Sequence, residues 1–569
     1  MTLHHAMEFP PPLAPKLADK GLPPFHRILG VHINGHDTSV AVVENGILTE
    51  VIELERVFRE KHYRVNVLHP RFEKTLSWLF DEYKLDTSFD AVAIHIHYYG
   101  SESPEHFRNI QDTTVAGLSK YIPDAHYVQL NHHLCHASSS YFTSPFDKAC
   151  ILSYDGHGND GATEAFLADG NQLSYLRSWP YSMGRAYSAL SNIIGGIHSH
   201  DGNSAGKVMG LTAYGTVNEN WIEPIKKFIR SYQGVRSEFS PQFWEASVAD
   251  GVFDLPGFGA VAGKNTFDGP ESKISQDFAA SFQHSWTEVV KEMVLEIIEQ
   301  TGCNDVCIVG GCALNAATNY EILQLPQVNR LHLVPHPNDD GISVGAALYC
   351  YYAYQGNAWN GASEDYFSPY LGVPVLDKEE LPVIANQRKS RFLKEPFPLL
   401  AKMIAEGKII GVIQGRSELG PRALGNRSLI CDPRNPNMKD KLNNQIKGRE
   451  WYRPFAPFVQ EGKQLEYFNL NVPAPYMSYI GYVNPKWLGK LPSITHADNT
   501  ARVQTVTKQQ TFLWELLEEF EAQTGVGVLL NTSFNGQGEP IVTRISEALA
   551  LLDNTDLDAV YSDGWLFES

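Results

Sequence analysis

Along residues 27–58, RILGVHINGHDTSVAVVENGILTEVIELERVF, apolar and polar positions alternate with the period of half-buried strands. Asn45-Gly46 falls between two such runs and predicts a two-residue hairpin, because both residues accept the left-handed backbone that turn needs. The design recurs over residues 149–176, ACILSYDGHGNDGATEAFLADGNQLSYL, as strand, Asp155-Gly156 turn, strand and Asp169-Gly170 turn. Two openings of one pattern predict a duplicated architecture. Between Gln276 and Gln300 the positions Phe278, Phe282, Val289, Val290, Met293, Val294 and Ile297 keep helical spacing, with Gly302 as the stop. A buried strand, VCIVGG, follows and ends in a Gly-Gly turn.

From Gly356 to Pro398 the pattern breaks into turn residues, which we read as a linker. Residues 399–569 resume alternating helices and strands and predict a second α/β domain beside the first, residues 27–355. Residues 1–26 read as a Pro-rich extension without the features of an export signal. A chain of 569 residues exceeds what one core organises, in keeping with two domains. No apolar run is long enough to span a bilayer, and the seven cysteines form no C-x-x-C pair, so a soluble, cytoplasmic protein with reduced thiols is expected. The formal net charge of -19 argues against a general nucleic-acid surface. Local clusters carry the chemistry.

The densest lies in NHHLCHASSSYF, residues 131–142. On a helix His132 and His136 share one face, while His133 points about 100 degrees away. Asp155, and Asp339 or Asp340 in PHPNDDG, close strands before glycine turns and would complete a mixed N/O shell for iron, manganese or zinc. The plain alternative is a packed, hydrogen-bonded histidine pair. Gly310, Gly311 and Asn315 suit an adenosine site, and Gly206 and Lys207 of SAGKVMG a ribose or phosphate. Arg56 and Lys61 read as a solvated helix face. In the second domain Arg422, Arg427, Lys447, Arg449 and Arg453 crowd a short span of an acidic chain, a density that asks for an anion. Asn531, Thr532, Ser533 and Asn535 offer further donors after a buried strand.

Four stretches, GHDTSVAVVENG with ELERVFREKH, NHHLCHASSSYF with LSYDGHG, DGNSAGKVMGLTAYG, and VGGCALNAATN with PHPNDDGISVGAAL, resemble the N-terminal half of the NodU/CmcH carbamoyltransferases. The resemblance implies an α/β fold with a duplicated actin-like (ASKHA) N-terminal domain. It implies that His132, His136, Asp155 and Asp339 bind a divalent metal, iron first, against the phosphate of an adenylate. It also casts His36 as general base on an acceptor hydroxyl, with an unperturbed pKa suited to neutral pH. Lys447-Gly448-Arg449 and Ser533-Phe534-Asn535 resemble the K-x-R and S-x-N signature of YrdC-like domains, which form acyl adenylates, and Arg502 completes that likeness by position.

The implied reaction joins ATP, with Mg2+, and carbamoyl phosphate into carbamoyl adenylate. Arg422, Lys447, Arg449, Arg453, Arg502, Ser533 and Asn535 would hold the reactants, with Lys447 and Arg422 catalytic. The carbamoyl group then passes to a small-molecule alcohol; family members modify antibiotics, toxins and lipo-oligosaccharides. Nucleic acid and membrane are not expected partners, and a homodimer is left open. A hydrogenase-maturation carbamoyltransferase would carry zinc-finger cysteine pairs that this chain lacks. An actin-like small-molecule kinase leaves the arginine-rich half unexplained. A nucleotide sensor without catalysis predicts ATP binding without carbamoyl-phosphate-dependent AMP release.

Overall fold

The computed structural model describes residues 22–97, 103–158, 161–197, 204–232, 254–255, 259–260, 269–363 and 367–569, so most of the Pro-rich stretch lies outside the described residues. The chain forms two compact units, one of residues 1–180, 297–312 and 327–371, the other of residues 181–296, 313–326 and 372–569. No helix among the described residues is long and apolar enough to cross a membrane.

The first unit holds two five-stranded sheets. One contains β1 (Arg27–Ile33), β2 (Ser39–Glu44), β3 (Ile47–Glu53), β4 (Ala91–Ile96) and β5 (His126–Gln129), in the order β3-β2-β1-β4-β5. The other contains β6 (Lys148–Tyr154), β7 (Thr163–Asp169), β8 (Gln172–Ser178), β9 (Asp305–Val309) and β10 (Arg330–Leu333), in the order β8-β7-β6-β9-β10. In each, the first three strands form an antiparallel meander, the fourth joins its first strand in parallel and the fifth joins the fourth in parallel. The duplication anticipated for the actin-like fold is therefore present in strand order and direction.

The Asn45-Gly46 hairpin forms with both residues at positive φ, 51 and 83 degrees, directly between paired Glu44 and Ile47. The second meander differs from expectation at its first turn. Asp155-Gly156 does not close a tight hairpin but opens a longer connection, residues 155–162, that rejoins where Asp155 N–H donates to Ala162 O over 2.9 Å. Its side chain explains the difference: the carboxylate accepts from Gly156 N–H at 2.5 Å and from Gly311 N–H at 3.1 Å, which spends the Asp on a site rather than a turn.

Two helices bring the sheets' chemistry together. Helix α1 (His132–Tyr141) is buried on almost every face, which its small residues Ala137 and Ser138 to Ser140 allow. Helix α2 (Ile342–Tyr349) packs on α1 and on β1, β2 and β4. Contact at this range needs missing side chains: a Cβ on Gly345 would lie 1.7 Å from Cys135 O, and one on Gly30 1.9 Å from Ser343 O. Arg56, expected on a solvated face, is buried and paired with Glu53 at 2.7 Å, whereas Lys61 is exposed.

The second unit contains a ten-stranded mixed sheet: β11 (Ser390–Phe392), β12 (Ile410–Ile413), β13 (Arg427–Cys431), β14 (Ala456–Gln460), β15 (Phe468–Asn469), β16 (Tyr479–Val483), β17 (Thr500–Val506), β18 (Val528–Ser533), β19 (Ala559–Ser562) and β20 (Trp565–Glu568). Their order is β11-β20-β19-β12-β13-β18-β14-β17-β16-β15. The helix Thr511–Thr524 presents Leu513, Leu516, Leu517 and Phe520, spaced i, i+3, i+4, i+7, to a core with Leu400 and Ile404 of the helix Phe397–Ala405 and with Ile410, Ile430 and Leu529 of the sheet. Each such side chain contributes roughly 1.5–3 kcal/mol by leaving water. The helix expected over 276–300 spans Lys273–Thr301, followed by Gly302 at φ 65 degrees.

Candidate functional site

After β5 ends at Gln129, Leu130 and the still extended Asn131, the N-cap, lead into helix α1 at His132. Its i, i+4 spacing turns His132 and His136 to one side, where Asp155 arrives from the end of β6 and Asp339 from the loop after β10. One ligand atom from each of the four lies within 4.8 Å of every other. His136 Nε2 is 3.1 Å from Asp155 Oδ2 and 3.5 Å from Asp339 Oδ1; His132 Nε2 is 3.8 and 3.7 Å from the same atoms. Both imidazoles are fully buried, and among the described residues His132 Nε2 has no hydrogen-bond partner.

Two carboxylates in so dry a place need balancing charge. Burial alone would lower the His136 pKa, but hydrogen bonds to Asp155 and Asp339 outweigh it and raise it to about 9. Against the same burial, these imidazoles hold Asp155 and Asp339 below the ordinary carboxylate range. An unpartnered, buried imidazole nitrogen facing two anchored carboxylates fits a divalent cation with mixed N/O preference. Asp340 does not join the group: burial, with Glu53 and Asp37 nearby, pushes its carboxyl well above the usual range. His133 turns away to Ser153 Oγ at 2.7 Å, as its helical phase predicts.

His36 stands beside this cluster, Nε2 3.6 Å from Asp339 Oδ2 and Nδ1 3.0 Å from Asp37 Oδ2. Its pKa is not unperturbed. Burial lowers it, but Asp339 and then Asp37 overcome that and raise it to about 10. Sequence reading passed over Asp37 and His62, although Asp37 follows His36 and His62 ends ELERVFREKH. Asp37 Oδ1 accepts from His62 Nδ1 at 2.9 Å, so one carboxylate is shared by two imidazoles, each on its own oxygen. Asn34, Asp37 and His62 all have left-handed backbones, φ 67, 57 and 54 degrees, and such conformations collect where function demands a shape.

Of the residues expected at an adenylate, Gly310 and Gly311 lie against the metal-type cluster. Gly310 has φ 94 degrees, and a Cβ there would lie 2.2 Å from Tyr154 O. Gly206, Lys207 and Asn315 belong to the other unit. A Cβ on Gly206 would meet nothing within 4 Å, Lys207 Nζ pairs with Glu450 at 2.9 Å, and Asn315 caps the helix Ala316–Leu323 while bonding Gln283.

The second unit holds the cations. The loop carrying Arg422 is folded around fully buried Glu418, whose Oε1 accepts from the backbone of Leu424, Asn426 and Arg427 at 2.7, 2.7 and 3.1 Å. Nothing in the spacing of SELGPRALGNR marks that role. Arg427 is part of the scaffold: it is wholly buried and donates to the carbonyls of Gln414, Gly415 and Asn426. Asn531 is likewise structural, its amide on Ala423 O and Gln504 Oε1. Lys447, Ser533 and Asn535 converge: Lys447 Nζ donates to Asn535 Oδ1 at 2.6 Å, Asn535 O at 3.1 Å and Ser533 Oγ at 3.2 Å.

Arg449 is aimed by Asn443 Oδ1 at 2.7 Å and lies over the Phe455 ring. Burial and Arg453 lower the Arg422 pKa to about 10, and burial with Arg453 and Arg422 lowers Arg449 to about 9. Arg502 is pushed down well below its ordinary value by burial and by Arg422, Arg449 and Arg453, and its buried Nε has no hydrogen-bond partner among the described residues. Four half-buried guanidiniums crowd together here, an arrangement that suits an anion.

Residues 110–348 match the family model described as carbamoyltransferase N-terminus, and residues 401–569 the one described as carbamoyltransferase C-terminus. An uncharacterized protein of Synechocystis sp. is 30% identical, over 93% of this chain and 95% of its own. Nodulation protein U of Rhizobium tropici is 28% identical, over 95% of this chain and 96% of its own. Among solved structures, full-length HypF in its phosphate- and nucleotide-bound form is 14% identical with a TM-score of 0.32, covering 59% of this chain and 57% of that one.

Proposed function

The chain belongs to the carbamoyltransferase family and is an enzyme of that class, and from that premise we propose that it is an ATP-dependent O-carbamoyltransferase working in two half-reactions. The observation that carries this reading is the coexistence of a buried His2Asp2 cluster in one unit and four mutually repelling arginines with Lys447 in the other.

In the cationic site, placed with residues 399–569, water opens carbamoyl phosphate to carbamate and phosphate. A carbamate oxygen then attacks the α-phosphorus of ATP, pyrophosphate leaves, and carbamoyl adenylate remains. Arg422, Arg449, Arg453 and Arg502 hold the phosphoryl oxygens, and their repulsion, offset in part by Glu450 at 3.5 Å from Arg453, is relieved further when anions arrive. Lys447, fixed by Ser533 and Asn535, sets a localised charge beside them.

The second half-reaction belongs to residues 27–355. His132, His136, Asp155 and Asp339 would hold a divalent cation, iron first, which when bound supplies electrostatic stabilisation of phosphate charge. Gly310 and Gly311, beside Asp155, are the backbone the adenylate would approach. His36 accepts the proton of the attacking hydroxyl, the oxygen bonds to the carbamoyl carbon, and AMP departs. His36 acts here from its deprotonated form, its ring held through Nδ1 at 3.0 Å from Asp37 Oδ2.

The test is purified protein with ATP, carbamoyl phosphate and a panel of polyketide, aminoglycoside and sugar alcohols. The expected result is pyrophosphate and AMP release, with one alcohol gaining the mass of a carbamoyl group. ATP binding without either release would refute it.

A further inference from the structure

Behind His36 lies a second pair of imidazoles that the motifs did not mark. His32 of β1 and His95 of β4 are neighbours in parallel register, both fully buried, with Nδ1 atoms 2.9 Å apart. The other nitrogen of His32, Nε2, lies 3.0 Å from the carbonyl oxygen of His36.

Between two neutral rings these contacts leave one arrangement of protons. A carbonyl oxygen only accepts, so His32 Nε2 must carry hydrogen. In a neutral ring, Nδ1 of His32 is then a bare acceptor. His95 must therefore donate from Nδ1, which leaves its Nε2 bare, and that atom is buried without a partner among the described residues. Leaving such an acceptor unmet is costly where an apolar side chain would have sufficed. What the pair secures is the His36 carbonyl, in a loop whose Asn34 and Asp37 both hold left-handed backbones. Asn34 braces the loop from the other side, its amide donating to His97 O at 3.0 Å.

We propose that His32 and His95, bonded in series to the His36 carbonyl, are positioning residues that aim His36 at the acceptor hydroxyl. The inference rests on the role of His36 proposed above.

The test has two readings. In the full-length protein with 15N-labelled histidine, spectra assigned through His32→Gln and His95→Asn should show His32 protonated only at Nε2 and His95 only at Nδ1 at neutral pH. Reversed tautomers, or an imidazolium at either, overturn the pairing whatever the enzyme does. With ATP and carbamoyl phosphate, and water standing in for the alcohol, His95→Leu should lower kcat for AMP release about 10- to 100-fold with KM unchanged. Pyrophosphate release in a first turnover should be spared. His95→Asn, whose amide nitrogen replaces the Nδ1 donor, should recover most of the loss. Leu and Asn variants failing alike, or both behaving as wild type, overturn the positioning role, whereas a wild-type protein that releases no AMP indicts the reading of His36 instead.

Discussion

His136 Nε2 stands 3.1 Å from Oδ2 of Asp155, joining a ring from the first turns of α1 to a carboxylate at the end of β6. That Asp155 oxygen is also 3.8 Å from His132 and accepts from Gly311 N–H, so it is the hinge on which the cluster is built.

The pair Asp339 and Asp340 separates ligand from scaffold. Asp339 faces both imidazoles, whereas burial raises the Asp340 carboxyl's pKa and the Asp340 backbone oxygen accepts from Ser39 Oγ at 2.8 Å. Asp339→Asn should lose most bound metal, while Asp340→Asn, a change outside the cluster, should retain it. Elemental analysis of the two purified variants decides.

Acidity gives a second handle. His136 is raised in the folded chain from 6.5 to about 9, facing Asp155 and Asp339 with His132, His133 and His336 alongside. A raised pKa means stability present in full below 6.5 and lost as pH climbs through 9. Chelator-treated protein should therefore melt about 2–4 °C lower at pH 9.5 than at pH 7.5. Metal-loaded protein should shift less, since a ligating imidazole has no such proton to lose. Thermal unfolding at both pH values, with and without chelator, checks it.

The arginines predict a trade of stability against binding. Arg502 is half-buried among three like charges, so Arg502→Met should raise the melting temperature of the ligand-free protein by about 2–4 °C. The same variant should lose the further rise that pyrophosphate gives wild type. Calorimetry with and without pyrophosphate reads both.

Much of this was legible in the chain because it is local. The Asn45-Gly46 hairpin, the helix ending at Gly302 and the common face of His132 and His136 follow from spacing alone. Asp155 was read both as a ligand and as part of a tight turn, and its partners Gly156 and Gly311 made it the first. His32 and His95 were not legible, since each is one residue of a strand buried along its length until parallel register sets one beside the other. The same holds for Glu418, whose three backbone partners lie six to nine residues away in a loop without periodicity.

The central claim is a division of labour between the His2Asp2 cluster and the arginine-lysine site. It is tested most directly by following pyrophosphate and AMP together in His132→Ala and Lys447→Ala with ATP and carbamoyl phosphate. The account predicts that His132→Ala still forms pyrophosphate in a first turnover but neither retains metal nor completes transfer, and that Lys447→Ala stops before pyrophosphate. Equal loss of both half-reactions in each variant would contradict it.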